Sequence, residues 1–463
     1  MSDKKLFEAF TPVNKEQWIQ QVVKDLKGKS YEETLTYTTA DGILVSPFYT
    51  KEDFTADMEF KPLFNHTDWD ICAEVDGTNE EVGNRQILYA LTTGATSLIC
   101  NVHAQVNLGV LCKQVQLQHI STLFVLKGDV GVFTTNLAAY LKQQGLTTDE
   151  VPVIIAIDPI AHLLRTGNWL NDEEHDFKEL QQAVLWGGTL CVNGNLYQQA
   201  GAPPAYEVGC LLGHTNLLLQ YLIQQQTPPK TVQLTIAVGG DYFFEIAKLR
   251  AIRKVFALLF KEYGIQTTLL LHAETSSLNM TRFDEYNNVL RATTAAMAAA
   301  VGGCNSIFVK PFDVLHHPGN QEAERLSRNI QLILKEESYL NQMADISAGA
   351  YYIEYLTEQI AQKSWANFAG LEKHGTYLEN IQQAAIQQHI EAFFDQQQRA
   401  FNEGKIVLVG SNKFPNLKEE IATNAVVSNE SKFNTAVIVR QLHAKRLSSD
   451  YEQQRISKQG VNS

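Results

Sequence analysis

Between residues 69 and 340, eight short runs of β-type residues alternate with longer segments of helical period, and their number limits the fold more than any other feature. The runs are WDICAEV (69–75), TSLICNV (96–102), STLFVLK (121–127), VPVIIAID (151–158), TLCVN (189–193), TVQLTIAV (231–238), TTLLLHAE (267–274) and SIFVK (306–310). Each leads into a helical stretch. The clearest starts after Asp241, an expected N-cap, and turns Phe244, Ala247, Leu249, Ile252, Val255, Phe256 and Leu259 to one broad side. Glu245, Lys248, Arg253 and Lys254 are expected in solvent, and Gly264 is expected to close the helix. Eight is the strand number at which a parallel sheet closes around a side-chain-filled interior. The pattern therefore predicts an α/β fold, a (β/α)8 TIM barrel, rather than an open doubly wound sheet.

The flanks read differently. Residues 1–68 form an expected N-terminal arm, with a helix around Trp18 to Leu26 ended by Lys27-Gly28, then an extended segment turning at Asp41-Gly42. Residues 69–340 are the expected barrel. Residues 341–463 read as a helical, linker-like extension, with periodic segments near 351–372, 378–403 and 432–458 and a polar stretch around 410–430. Composition is ordinary for a globular chain, with 44% hydrophobic residues. A formal charge of −13, with no Lys/Arg-rich run, argues against nucleic acid or an anionic membrane as partner. No stretch approaches the ~18 apolar residues of a membrane span and no secretory h-region is present, so a cytoplasmic location is expected. The six cysteines lack CxxC spacing and read as small core residues.

Barrel chemistry sits at the C-terminal ends of the strands. The residues closing the runs are Glu74 and Asp76, Asn101 and His103, Lys127 and Asp129, Asp158, Asn193 and Asn195, Asp241, His272 and Glu274, and Lys310 and Asp313. As an enzyme, this set would be a carboxylate-rich mouth with His272 as acid/base and Lys310 as an amine nucleophile. As an ordinary barrel mouth, it is polar because strand ends reach solvent. A metal set of His103, Asp129, Asp158 and His272 has no spacing to support it, and His316-His317 read as exposed loop residues. No dinucleotide or phosphate-loop motif occurs.

The segment ERLSRNIQLILKEES (324–338), followed by DISAGAYYIE (345–354), resembles a signature of the methylmalonyl-CoA mutase family, R-x-x-R-N-x-Q…E-S then D-P-x-G-G-S-Y-Y-I-E. Arg325, Arg328, Asn329, Gln331, Glu337, Asp345, Gly349, Tyr351, Tyr352 and Glu354 fall in register. Further similar segments are YTTADGI (37–43), PFYT (47–50), FEIAKLRAIRK (244–254), HAETSSLNMTRFDEYNNVLR (272–291) and SNKF (411–414). The resemblance implies a (β/α)8 barrel joined by a helical linker to a flavodoxin-like cobalamin domain.

Three departures bear on function. The D-x-H-x-x-G loop that would supply a cobalt-ligating His is not found, and no flavodoxin-like domain is expected in these residues. Where the resemblance implies G-Y-H-x-Q-E-A-G-A, the chain reads GNLYQQAGA (194–202), so Asn195 and Leu196 replace the Tyr and the His that polarises the thioester carbonyl. Glu74 stands in place of the catalytic Tyr, and Leu270 in place of an Arg. Third, bulky residues in LFVL, VIIAI, LLL and IFV are expected to fill the axis through which CoA would thread. The pattern is similar to that of small, non-catalytic subunits of the heterodimeric bacterial enzyme. It implies a chain that binds no cofactor alone, partnered by a large subunit holding adenosylcobalamin and converting (R)-methylmalonyl-CoA to succinyl-CoA. Alternatives are a catalytic barrel of a split acyl-CoA mutase, or a cobalamin-free barrel enzyme using His272, Glu274 and Lys310. Trp18, Phe48, Tyr49, Tyr351, Tyr352 and Trp365 are candidates for a partner interface, or, for any one of them the more expected role, anchors of the arm and tail on their own barrel.

Overall fold

The computed structural model describes residues 11, 13–55, 60–316, 319–419 and 437–460. A small hairpin pairs β1 (Tyr37–Thr38) with β2 (Leu44–Val45), turning at Asp41-Gly42, where Gly42 has φ +70°. All eight predicted runs are strands: β3 (Asp70–Asp76), β4 (Ser97–His103), β5 (Ser121–Lys127), β6 (Val153–Ala156), β7 (Thr189–Asn193), β8 (Thr231–Val238), β9 (Thr268–Thr275) and β10 (Ser306–Phe308). They form one parallel sheet in the order β6-β5-β4-β3-β10-β9-β8-β7. Strands β6 and β7 close against each other without a paired ladder, so the barrel is nearly closed, with helices around it.

The outer core falls into two clusters. Outward residues of β7 to β10, such as Leu190, Leu234, Leu271 and Ile307, meet the helices Pro204–Gln224, Tyr242–Glu262 and Tyr351–Lys373. Two of these helices touch closely at Gly209, where a Cβ would come within 2.7 Å of the Asn367 side chain and 3.1 Å of Ser364 O. A glycine is needed there to let the backbones meet. The second half of the outer core, around Phe124, Phe133 and Leu137, lies under β3 to β6.

Helix Tyr242–Glu262 has the predicted apolar side and ends at Tyr263 with Gly264 at φ +65°. Its charges depart from expectation. Glu245 and Lys248 are buried and Arg253 and Lys254 half-buried, because a second layer of helices covers the face assigned to water. Lys248 Nζ lies 2.9 Å from Glu207, 2.7 Å from Glu245 and 2.8 Å from Ala237 O. Burial opposes the ammonium charge, but the two carboxylates outweigh it and hold Lys248 protonated. Arg250, fully buried, is clamped by Asp345 and by Glu354 at 2.7 Å, and Glu354 also accepts from Gly349 N at 2.9 Å. Trp69 Nε1 donates to Gln331 at 3.2 Å, and Arg328 lies over the Tyr89 ring. Much of the 324–354 signature is therefore a set of ties between the last helices and the barrel.

Beyond residue 340 the helices are Tyr351–Lys373, Tyr377–Gln382, Ala385–Asn402 and Ser449–Gly460. The expected 378–403 helix is broken at Ala384, whose φ is +59°. Of the expected 432–458 helix, residues 432–436 lie outside the described residues, 437–448 are non-helical, and only Ser449 onward is helical. Residues 437–442 instead run along the barrel, with Val439 N donating to Gly167 O and Leu442 N to Leu164 O. No helix among the described residues is long and apolar enough to cross a membrane.

The six candidate interface aromatics pack within the chain. Trp18 meets Phe48 with centroids 5.0 Å apart, Tyr49 stacks on Tyr355 at 4.3 Å and touches Tyr352, Phe54 contacts Tyr351, and Trp365 meets Phe368. Of the six, Phe48 alone is exposed; the N-terminal hairpin braces the helical side of its own chain.

Candidate functional site at the barrel mouth

Alternate residues of each strand turn inward. The middle of the interior holds Cys72, Ile99, Leu123 and Cys191, with Val125, Ile154, Ala156 and Phe308 against them. The expected filling is thus only half correct. Phe124, Leu126, Ile155, Leu271, Ile307 and Val309 face the helices, because strand alternation sends every second bulky residue outward. Leu270, Gln233, Ser97, Ser121 and His272 line an interior cavity of about 80 Å³ toward the lower end of the strands.

Above this layer the mouth residues form a hydrogen-bonded set. Asn101 donates to Glu74 at 2.9 Å. Asn195, at the start of the short helix Asn195–Gln199, donates to Glu274 at 2.8 Å and accepts from Arg165 at 2.8 Å. Lys310 Nζ lies 3.1 Å from Glu274 and 3.0 Å from Thr275 O. The two glutamates are pushed apart in acidity. Burial, then the nearby charge of Glu274, raises the Glu74 carboxyl above the ordinary range. Burial also opposes the Glu274 charge, but Lys310 and His272, with Arg165 farther off, outweigh it and lower its pKa.

Asp158 ends as a structural residue. It caps the helix Pro159–Thr166 through Ala161 N at 2.8 Å, accepts from Asn193 N at 2.7 Å, and meets His214 Nε2 at 2.9 Å. His214 Nδ1 lies 3.1 Å from Tyr197 Oη, to which Tyr377 donates at 2.7 Å. Asp129 caps the helix Val130–Gln143 at Val132 N. His103 is exposed on the rim, and His272 is buried against Ser306. These four do not come together, and no group of three or more metal-ligating side chains occurs among the described residues. His316 is half-buried with Nε2 3.0 Å from Arg282 O, contrary to the expected exposure, and His317 lies outside the described residues. Leu196 is buried at 5% exposure, presenting only methyl groups.

Sequence reasoning missed Arg165 and His214. Arg165 sits in the last turn of a short helix, where a basic residue is expected for the helix dipole alone. His214 had a readable signal: it lies in CLLGHTNLLL, a helix apolar on nearly every side, where a buried polar group requires a partner.

The Methylmalonyl-CoA mutase family model matches residues 100–458. A relative from Porphyromonas gingivalis, named methylmalonyl-CoA mutase small subunit, is 30% identical over 98% of this chain and 78% of its own length. Proteins of the same name from Streptomyces virginiae and Propionibacterium freudenreichii subsp. shermanii are 27% and 26% identical, covering 89% and 83% of this chain and 72% and 65% of their own lengths. With the family match extending from the second barrel strand to the last helix, the chain belongs to the methylmalonyl-CoA mutase family.

Proposed function

We propose that this chain is the small, non-catalytic subunit of an adenosylcobalamin-dependent methylmalonyl-CoA mutase, acting in the cytoplasm in propionate metabolism. Its partner is a large subunit that holds the cofactor and isomerises (R)-methylmalonyl-CoA to succinyl-CoA. The observation that carries this reading is a set of replacements along the barrel interior and at its mouth. At the positions where the family resemblance implies a carbonyl-polarising His, a Tyr and an Arg, the chain has Leu196, Glu74 and Leu270. A buried leucine can neither donate a hydrogen bond nor carry a proton, and a glutamate at the mouth repels an anionic acyl group. The name shared by the relatives supports the same assignment.

Of the histidines in and around the barrel interior, His214, His272 and His103, none offers an oriented imidazole for the cobalt of adenosylcobalamin. His214 is tied to Asp158 and Tyr197, and His272 lies within the barrel. His103 stands on the rim with no hydrogen bond to order its ring among those residues, whereas a metal-ligating imidazole is ordinarily oriented by such a partner. No step through the cofactor is assigned to this chain. A cobalamin-free enzyme built on Lys310 is less well supported, because Glu274 and Thr275 O already hold its ammonium.

Co-expression of the chain with its large-subunit partner, followed by light scattering on the eluted complex, tests the reading. A 1:1 complex is expected. A large subunit that elutes at its own mass with this chain present in excess would contradict it.

A further inference from the structure

A cleft of about 690 Å³ opens beside the barrel mouth, walled by the C-terminal ends of β8 and β9, the helix Asn287–Val301 and residues 406–409. Its walls are pinned. Gly239 N donates to Glu245 at 2.9 Å and Ser276 N to Val238 O at 2.8 Å, which fixes the loop after β8. The segment 406–409 is held as firmly, since Arg291 donates to Val409 O at 2.6 Å and Leu408 is buried with Leu278, Phe394, Phe401 and Leu447. The space is therefore formed before any ligand arrives. Its size falls within the range of small-molecule sites, about 300–1,000 Å³, and it lies at the end of the barrel where such sites are built.

The three charged residues in the wall, Asp241, Arg291 and Lys310, are not equally engaged. Arg291 donates to Thr281, Asn288 and Val409 O, and Lys310 to Glu274 and Thr275 O. Asp241 has no ion pair among the described residues. Partial burial, then the charge of Glu245, pushes its carboxyl up to about 6, against the Phe244 N–H. Next to this loop, the Asn279 amide stands 3.4 Å from the place a Cβ on Gly240 would take, and it has no partner among the described residues. Elsewhere the wall is apolar and bare, with Leu290, Val407 and Val409 at 66%, 49% and 53% exposure. We propose that this cleft binds an amphipathic organic amine, its ammonium on Asp241 and Asn279 and its hydrocarbon body along Leu290, Val407 and Val409.

Sign and shape select the class. An organic anion would meet the unpaired Asp241, while both cations of the wall already have their partners. A neutral alcohol can bond to Asn279 but leaves Asp241 uncompensated. An ammonium supplies the missing charge and has donors enough for the Asp241 carboxylate and the Asn279 carbonyl oxygen together. The bare aliphatic side chains call for an apolar body, since exposed apolar surface gathered in a concave site marks a place of contact.

The test is titration calorimetry on the full chain with hexylammonium, hexanol and heptanoate, which share one hydrocarbon body and differ in the head, at equal ionic strength. Hexylammonium is expected to bind saturably and about tenfold more tightly than hexanol, the size of one charge-assisted hydrogen bond, and heptanoate not at all. Asp241→Asn should bring the amine down to the affinity of the alcohol. Leu290→Asn, at a side chain exposed enough to leave the fold intact, should weaken amine and alcohol alike, and it serves as the second variant if Asp241→Asn does not fold. Equal affinities for amine and alcohol in the unmodified chain would overturn the proposal, and so would an amine preference that survives Asp241→Asn or affinities untouched by Leu290→Asn. If no amine binds and Leu290→Asn instead weakens a complex with the large subunit, the cleft is a protein contact and the proposal falls. The titrations use this chain alone, so their outcome leaves the subunit reading to its own test.

Discussion

Arg250 illustrates how a charge becomes structural. Its guanidinium is fully buried between Asp345 and Glu354, two residues of the 324–354 signature. Replacing it by Met leaves two carboxylates facing an apolar side chain, and breaking such a buried pair typically costs about 3–5 kcal/mol. Urea unfolding of Arg250→Met should show a loss of that size, while the exposed pair Lys405–Glu403 should be nearly silent to Lys405→Ala. The resemblance located these signature residues, but only the structure assigned them to ties rather than to the mouth. Lys248 and Glu245 were misplaced by periodicity for a related reason. Their partner Glu207 lies on a distant segment, and a period of 3.6 carries no information about a second helical layer. Restoring His at position 196 tests the mouth at this same scale. Leu196→His is expected to give no succinyl-CoA with free cofactor, since Asn195, Glu74 and Leu270 remain unchanged and catalytic groups that act as a unit do not return singly.

At the level of elements, all eight strands were legible because each run is short, rich in β-branched and aliphatic residues and bounded by turn signals. Which residues of a run face the interior was misjudged, because bulk was counted along the whole run although only alternate positions point inward. The hairpin turn shows a contact that sequence could not give. Asp41 accepts from Ala205 N at 3.0 Å, capping from a distance the helix Pro204–Gln224, which has Pro203 at its own cap position. Burial pushes the Asp41 carboxyl up to about 6, against the opposing backbone N–H groups of Ala205 and Tyr206 and the Lys363 charge. The folded state therefore holds this proton more tightly than the unfolded chain, whose aspartate titrates near ~3.9. Its contribution to stability is complete below about pH 4 and is lost as pH rises through about 6. Unfolding midpoints measured from pH 4 to 7 should decline with this component in the unmodified chain and lose it in Asp41→Asn, which keeps the acceptor without the titration.

For the whole molecule, the N-terminal hairpin belongs to the fold of this chain. Ile43 and Val45 lie in the main core at 1% exposure, and the Tyr355 hydroxyl donates to Leu44 O. At about 1.5–3 kcal/mol for each buried aliphatic side chain, removing residues 1–50 should cost about 3–6 kcal/mol. An unfolding midpoint unchanged by that deletion would mean the hairpin is not a brace. The aromatics of this region, candidates for a partner surface, make ring contacts within the chain, which is the bracing alternative. On the proposed function, the chemistry belongs to the large subunit. Succinyl-CoA formation from methylmalonyl-CoA with adenosylcobalamin, measured on this chain alone and on its complex with the large subunit, tests it most directly. Turnover is expected from the complex and none from the chain alone; turnover by the isolated chain would overturn the proposed function.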